Sequence, residues 1–196
     1  MLLKIKNSGY LNVMERLMHK EQRECGNILN IIYNPISWIH PKRFSLLPGF
    51  STPGCHRIIN DILIENFSLS VEPLDLNNER ERYLTAHWHF LPKAAFMVAC
   101  QLHKSNLFQC GVWWKLEKSV RQFSLLNLIE SKPVNASTYS LEQYALCAKR
   151  EIDLFSASVS RVMRERLPLL FSPGDGVETA SPTLTGDNEL AMRMAI

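Results

Sequence analysis

The chain has 196 residues, 46% apolar and 21% charged, the balance of an ordinary globular domain, which excludes wholesale disorder and a fibrous repeat. Its 22 basic and 19 acidic side chains leave +3, less basic and less clustered than a dedicated nucleic-acid module. No stretch reaches the roughly 18 consecutive apolar residues of a membrane span; the longest candidate, Ala86 to Cys100, is interrupted by Pro92 and Lys93.

The N-terminal Met1-Leu2-Leu3-Lys4-Ile5-Lys6 is followed by Asn7, Ser8 and Gly9 rather than an apolar core, so it is a poor secretory signal. A helix is expected from Leu11 to Ile32, with Met14, Leu17, Met18, Cys25, Ile28, Leu29 and Ile32 on one side and Gly26 weakening its middle. Next comes Asn34-Pro35-Ile36-Ser37-Trp38-Ile39-His40-Pro41-Lys42-Arg43-Phe44. Asn34 can cap a turn whose first residue is Pro35, and Pro41 forbids its continuation and pushes His40 toward extended backbone. The product is a rigid corner held between two prolines. Either it offers Pro35, Trp38, Ile39, His40, Pro41 and Arg43 to a partner, or Trp38 and Ile39 plug the core and His40 satisfies a backbone carbonyl.

Thr52-Pro53 opens another helix, turning Cys55, Ile58, Ile59, Ile62 and Leu63 inward. Phe67 to Val71 alternates like a short strand without a partner. A helix led by Asp75, with Leu76, Tyr83, Leu84 and Trp88 facing in, carries Glu79-Arg80-Glu81-Arg82 as a solvated face with local ion pairs. Pro92 opens the next, through Ala95, Phe96, Ala99, Cys100 and His103, and Trp113 to Ile129 reads as one more. After a linker at Ser131 to Thr138, Ser140 and Gln143 form a capping-box pattern. It starts one long helix whose apolar stripe runs from Leu141 to Met163 until Pro168 stops it. From Pro173 the chain turns rich in Gly, Ser and Thr and carries net −3, which predicts a mobile tail. The expectation is a single irregular all-α domain of about six to eight helices over residues 1–172, with a flexible acidic tail over 173–196.

Five scattered cysteines (Cys25, Cys55, Cys100, Cys110, Cys147) without a CxxC pair argue for reduced thiols in the cytoplasm, so the glycosylation patterns at Asn66 and Asn135 are read as chance. A Cys/His metal site would draw on His87 or His89 with Cys100, His103 and Cys110, but this spacing matches no standard zinc site. Cys55 beside His56 lacks a third orienting group, and phosphate-loop, nucleophile-elbow and H-E-x-x-H motifs are all missing. No cofactor, metal or enzymatic activity is expected from these residues.

The run Ile31-Ile32-Tyr33-Asn34-Pro35-Ile36-Ser37-Trp38-Ile39-His40-Pro41-Lys42-Arg43 resembles the signature of the OrgA/MxiK family, also called SctK, of type III secretion systems. That pattern has an apolar pair, Asp or Asn, Pro, two residues, an aromatic, Ile or Leu, His-Pro and a basic residue. Trp38 stands where the family more often has Tyr. Leu91-Pro92-Lys93-Ala94-Ala95-Phe96-Met97-Val98-Ala99-Cys100 resembles the family's central Leu-Pro helix, and Arg166-Leu167-Pro168-Leu169-Leu170-Phe171-Ser172-Pro173 its closing element. The acidic tail has no evident counterpart. The resemblance implies a mainly helical, non-enzymatic adaptor at the cytoplasmic face of the bacterial inner membrane. It would link the cytoplasmic domain of the inner-membrane ring protein to the pod protein of the sorting platform, support effector secretion and host-cell invasion, and approach the membrane only through its partners. The rival readings are a small Cys/His metal-binding protein and a secretion chaperone or regulator that binds effectors.

Overall fold

A computed structural model describes residues 24–74, 77–109, 111–132, 139–156, 159–174 and 186–196. Every regular element among them is helical: α1 (24–33), α2 (Pro53–Asn66), α3 (Glu79–Ala86), α4 (Leu91–Leu102), α5 (Lys104–Gln109), α6 (Lys118–Ser124), α7 (Leu141–Ser156), α8 (Arg161–Arg166) and α9 (Gly186–Met194). Four short 3-10 turns, Pro35–Ser37, Trp88–Phe90, Val112–Lys115 and Leu167–Leu170, join them. The protein is all-α.

The centre is α4. Pro92 sits in its first turn, where no N–H partner is needed. Leu91, Ala94, Ala95, Met97 to Leu102 are all buried, so this helix is apolar nearly all round and must be enclosed. Its long flank packs along α7, where Tyr144, Ala148, Ile152 and Phe155 face it, and it also touches α6 and α9. The capping box forms as the spacing predicts: Ser140 N–H donates to Gln143 Oε1 at 2.6 Å and Gln143 N–H to Ser140 Oγ at 3.3 Å.

Four expectations are corrected by long-range contacts. The helix expected to run unbroken to Met163 ends at Ser156, and α8 starts anew after Ser160. The Ser-Ala-Ser-Val-Ser stretch 156–160 is a weak helix former, and the buried Glu81 carboxylate accepts the Ser160 N–H. Arg164 takes the Ser156 and Val159 carbonyls on the other side of the break. The helix expected over Trp113 to Ile129 shrinks to α6, because Gln101 donates its amide to the Phe123 and Leu126 carbonyls and closes that end. In α2, Leu63 is buried but Ile58 and Ile62 stay 61% and 56% exposed. Asn60 turns inward instead, its Oδ1 accepting the Ile36 N–H at 3.0 Å and its Nδ2 donating to Asn34 Oδ1 at 2.7 Å. Likewise Cys25 and Leu29 of α1 are exposed while Ile31 and Ile32 are buried.

The charged run 79–82 meets the C-terminal helix α9. Glu79 pairs with Arg193 at 3.1 Å and Arg80 with Glu189 at 2.6 Å, and Arg193 also lies over the Tyr83 ring at 5.1 Å. Glu79 and Arg82 remain exposed, as expected of a solvated face, but the run also seats α9 through the Glu79 and Arg80 pairs, and Glu81 is buried. Ala191 and Met192 are fully buried, so Gly186–Met194 packs as a helix against the body. Burial of these two side chains and the complementary charges both favour docking of α9.

Among the described residues no strand forms at Phe67 to Val71; Ser70 N–H donates to Glu165 Oε2 at 2.6 Å instead. The expected helical stretch 11–23, the Asp75-Leu76 start, Cys110, the linker 133–138 with the pattern at Asn135, and 175–185 lie outside the described residues.

Candidate partner-binding site

The proline corner is built as a 3-10 turn over Pro35–Ser37, with Trp38 and Ile39 N–H both donating to the Pro35 carbonyl at 3.1 and 2.9 Å. Asn34 does not cap it by its side chain; Asn60 does, through the Ile36 N–H. Pro35, Trp38 and Ile39 are buried. The Trp38 ring meets Trp88 edge-on at 5.4 Å, and its indole N–H donates to the Asn30 carbonyl at 3.3 Å. These three side chains therefore face the core rather than a partner, which corrects any reading of them as exposed anchors; burial of a large indole stabilises the fold more than its polar edge costs once bonded.

Arg43 ties the corner to the end of the body. Its Nε donates to the Phe171 carbonyl at 2.6 Å and its Nη2 to the Pro168 carbonyl at 3.2 Å, while His40 N–H donates to the Leu169 carbonyl at 3.0 Å. Burial lowers the Arg43 pKa, yet an arginine stays charged and makes strong bonds to carbonyls in this setting. From the same last turn, the fully buried Arg166 donates Nε to the Ile31 carbonyl at 3.1 Å, Nη2 to Ile32 at 3.0 Å and Nη1 to Val162 at 3.1 Å. Two arginines thus fasten residues 31–43 to residues 162–171.

What the corner leaves open is a groove of about 420 Å³. Its walls are Phe96 and Pro92 of α4, Leu116 and Val120, Leu141, Ala145 and Ala148 of α7, and Leu170 and Phe171. His40, Lys93, Lys115 and Glu117 stand at its edge, and a shallower extension past Lys42, Leu146 and Gly174 shares His40 and Ala145 with it. His40 is half-buried, its Nδ1 accepting the Lys42 N–H at 3.1 Å. Its pKa falls below the usual 6.5 through burial and then the nearby Lys42 and Arg43 charges. Beside Lys115, Trp114 is 78% exposed, an unusual position for an indole. Of the groove residues the sequence marks only His40 as a site candidate, and not Phe96, Lys115 or Ala145, since nothing local marks a side chain as lining a groove shared by distant segments.

Chemistry-bearing groups elsewhere are dispersed. Burial, with Cys147 nearby, raises the Cys100 thiol to about 12, and burial with Lys132 and Arg150 brings His103 down to about 4. His103 stacks on Tyr139 at 5.0 Å, and His89 is exposed. Among the described residues no three of His, Cys, Asp and Glu gather where an ion could be held, and no helix is long and apolar enough to cross a membrane.

Residues 28–195 match the family described as "Bacterial type III secretion apparatus protein (OrgA_MxiK)". The chain belongs to the OrgA/MxiK family. Curated relatives include the oxygen-regulated invasion protein OrgA of three Salmonella typhimurium strains, 14028s, SL1344 and LT2, each 23% identical over 151 residues covering 73% of either chain. No solved structure matches. The OrgA/MxiK match runs through α9, so the C-terminal segment does have a family counterpart, contrary to the sequence reading. The three segments that resemble OrgA/MxiK in sequence meet in space: His40 comes from the first, Pro92, Lys93 and Phe96 from the second, Leu170, Phe171 and Ser172 from the third, and all of them line the groove.

Proposed function

We propose that this protein is a non-enzymatic adaptor of a bacterial type III secretion apparatus. It links the cytoplasmic domain of the inner-membrane ring protein to the pod protein of the sorting platform, and so supports effector secretion and host-cell invasion. It works at the cytoplasmic face of the inner membrane, brought there by its ring partner. The observation that carries the reading is the convergence of the three OrgA/MxiK-like segments, more than 40 residues apart in the chain, on one apolar groove. Most apolar residues of these segments are buried in the core, and side chains from all three also line one shared cleft, which suits recognition of a partner segment. In this reading Pro35, Trp38, Ile39, Pro41 and Arg43 hold the corner in shape, and His40 meets the partner. A pre-formed corner lowers the ordering cost of association.

The test is capture. The purified chain is mixed with the ring protein's cytoplasmic domain and with the pod protein of the same secretion system, singly and together. The expected result is a ternary complex on size exclusion. Capture of neither, or retention of effector secretion in cells deleted for this chain, refutes the adaptor role; co-purification with effectors alone would favour a chaperone.

A further inference from the structure

The groove is apolar except at its edge, and there the polar groups are fixed by bonds within the chain. Because His40 Nδ1 accepts the Lys42 N–H, that nitrogen carries no proton. Burial and the flanking positive charges keep the ring neutral at pH 7, so its single proton sits on Nε2. His40 therefore presents an N–H donor whose tautomer is set by the backbone two residues on.

The rim charges are also partly committed. Glu117 accepts from Lys93 at 2.6 Å, and Glu142 lies 3.9 Å from Lys42. Lys115 is exposed, lines the groove and has no ion pair among the described residues. The groove thus offers apolar walls, one neutral donor and one surplus ammonium, with the Trp114 indole adjoining it in sequence. A basic or purely polar segment finds no complement in that set; an acidic amphipathic one does.

Resting on the adaptor reading, we propose that the groove binds a partner segment carrying an apolar side chain and a carboxylate, with His40 Nε2–H donating to an acceptor on that segment and Lys115 facing its carboxylate. His40 is then a specificity-determining residue rather than a scaffold residue, and the His-Pro pair has a division of labour. Pro41 ends the turn, and the Lys42 N–H behind it selects the tautomer that His40 shows to the partner.

The experiment titrates the full chain with the ring protein's cytoplasmic domain and, separately, with the pod protein, by calorimetry at pH 7.5. His40→Gln carries an amide nitrogen near the Nε2 position; His40→Asn supplies an acceptor near Nδ1 for the Lys42 N–H but no donor at Nε2. For the partner that uses the groove, His40→Gln is expected to bind within about threefold of the native chain and His40→Asn roughly tenfold more weakly, the loss of one hydrogen bond. Lys115→Glu weakens it by more than tenfold and Lys115→Arg leaves it nearly unchanged, with all four variants folded by circular dichroism. If the two His40 variants bind alike, the donor role is overturned; if Lys115→Glu binds as the native chain does, the carboxylate is overturned. If neither partner binds the native chain, the adaptor reading itself fails, and this inference with it.

Discussion

Arg166 offers the sharpest test of how the fold is held. It is completely buried and donates to three carbonyls, two of them, Ile31 and Ile32, in the last turn of α1. Those carbonyls have no further helical turn to accept from, so the guanidinium acts as a long-range C-cap, and its charge suits the negative end of the helix. Replacing a buried ion pair by apolar side chains is often neutral, because both charges vanish together. Here the acceptors belong to the backbone and remain, so Arg166→Met leaves buried carbonyls unpaired while filling the space. Hydrogen bonds to a charged group contribute about 1.5–3 kcal/mol each, and an orphaned buried acceptor costs about 1–3 kcal/mol; allowing for relaxation, the variant should lose about 3–5 kcal/mol. That is a large part of the roughly 5–15 kcal/mol available to a domain. Urea unfolding followed by tryptophan fluorescence reads the change, and Arg166→Lys, keeping the charge but not the fork, should lose about half as much. A loss below about 1 kcal/mol for Arg166→Met would refute the capping account.

Removal of residues 186–196 should cost about 2–4 kcal/mol in the same assay, since it uncovers the seats of Ala191 and Met192 and breaks the Arg80–Glu189 pair; a freely mobile tail would be removable without effect. Ala145→Phe fills the groove from a half-buried position on α7 and should abolish capture of one partner while shifting stability by less than about 1 kcal/mol. His103 is neutral in the fold down to about pH 4, below its ordinary 6.5, so the unfolded chain binds more protons between those values. Stability present above pH 6.5 should therefore fall by about 3 kcal/mol as the pH drops toward 4; urea midpoints for His103→Phe, which keeps the ring stack, should lose much of that slope.

Local signals mark element starts well and orientations poorly. Thr52 and the Ser140/Gln143 box each begin a helix through capping bonds made within four residues, and Pro92 sits in the first turn of α4, where its fixed φ suits a helix start without a capping bond. At the corner, Trp38 and Ile39 are buried in the core, while His40 is half-buried at the groove edge. What could not be read were features decided by residues distant in the chain. The non-helical Val159 and Ser160 before α8 depend on Glu81, the end of α6 on Gln101, and the rotation of α2 on Asn60 reaching Asn34 and Ile36. In each, one buried polar side chain outweighs an apolar stripe, since leaving its backbone partner unpaired costs more than exposing an isoleucine or shortening a helix by a turn. The groove follows the same logic, as its lining is assembled from five separated stretches.

The two arginines also explain why the site comes from both ends of the body. Arg43 reaches from the corner to Pro168 and Phe171, and Arg166 reaches back from the closing turn to Ile31 and Ile32. These reciprocal clasps cross more than 120 residues of chain, so neither segment can shift without unpairing carbonyls held by the other. His40 lies between them, its own N–H bonded to Leu169. The position of its ring at the groove is therefore set by backbone-directed bonds, which tolerate sequence change in the side chains around them. A ring held this way keeps its place at the groove even when the apolar side chains lining the walls are changed.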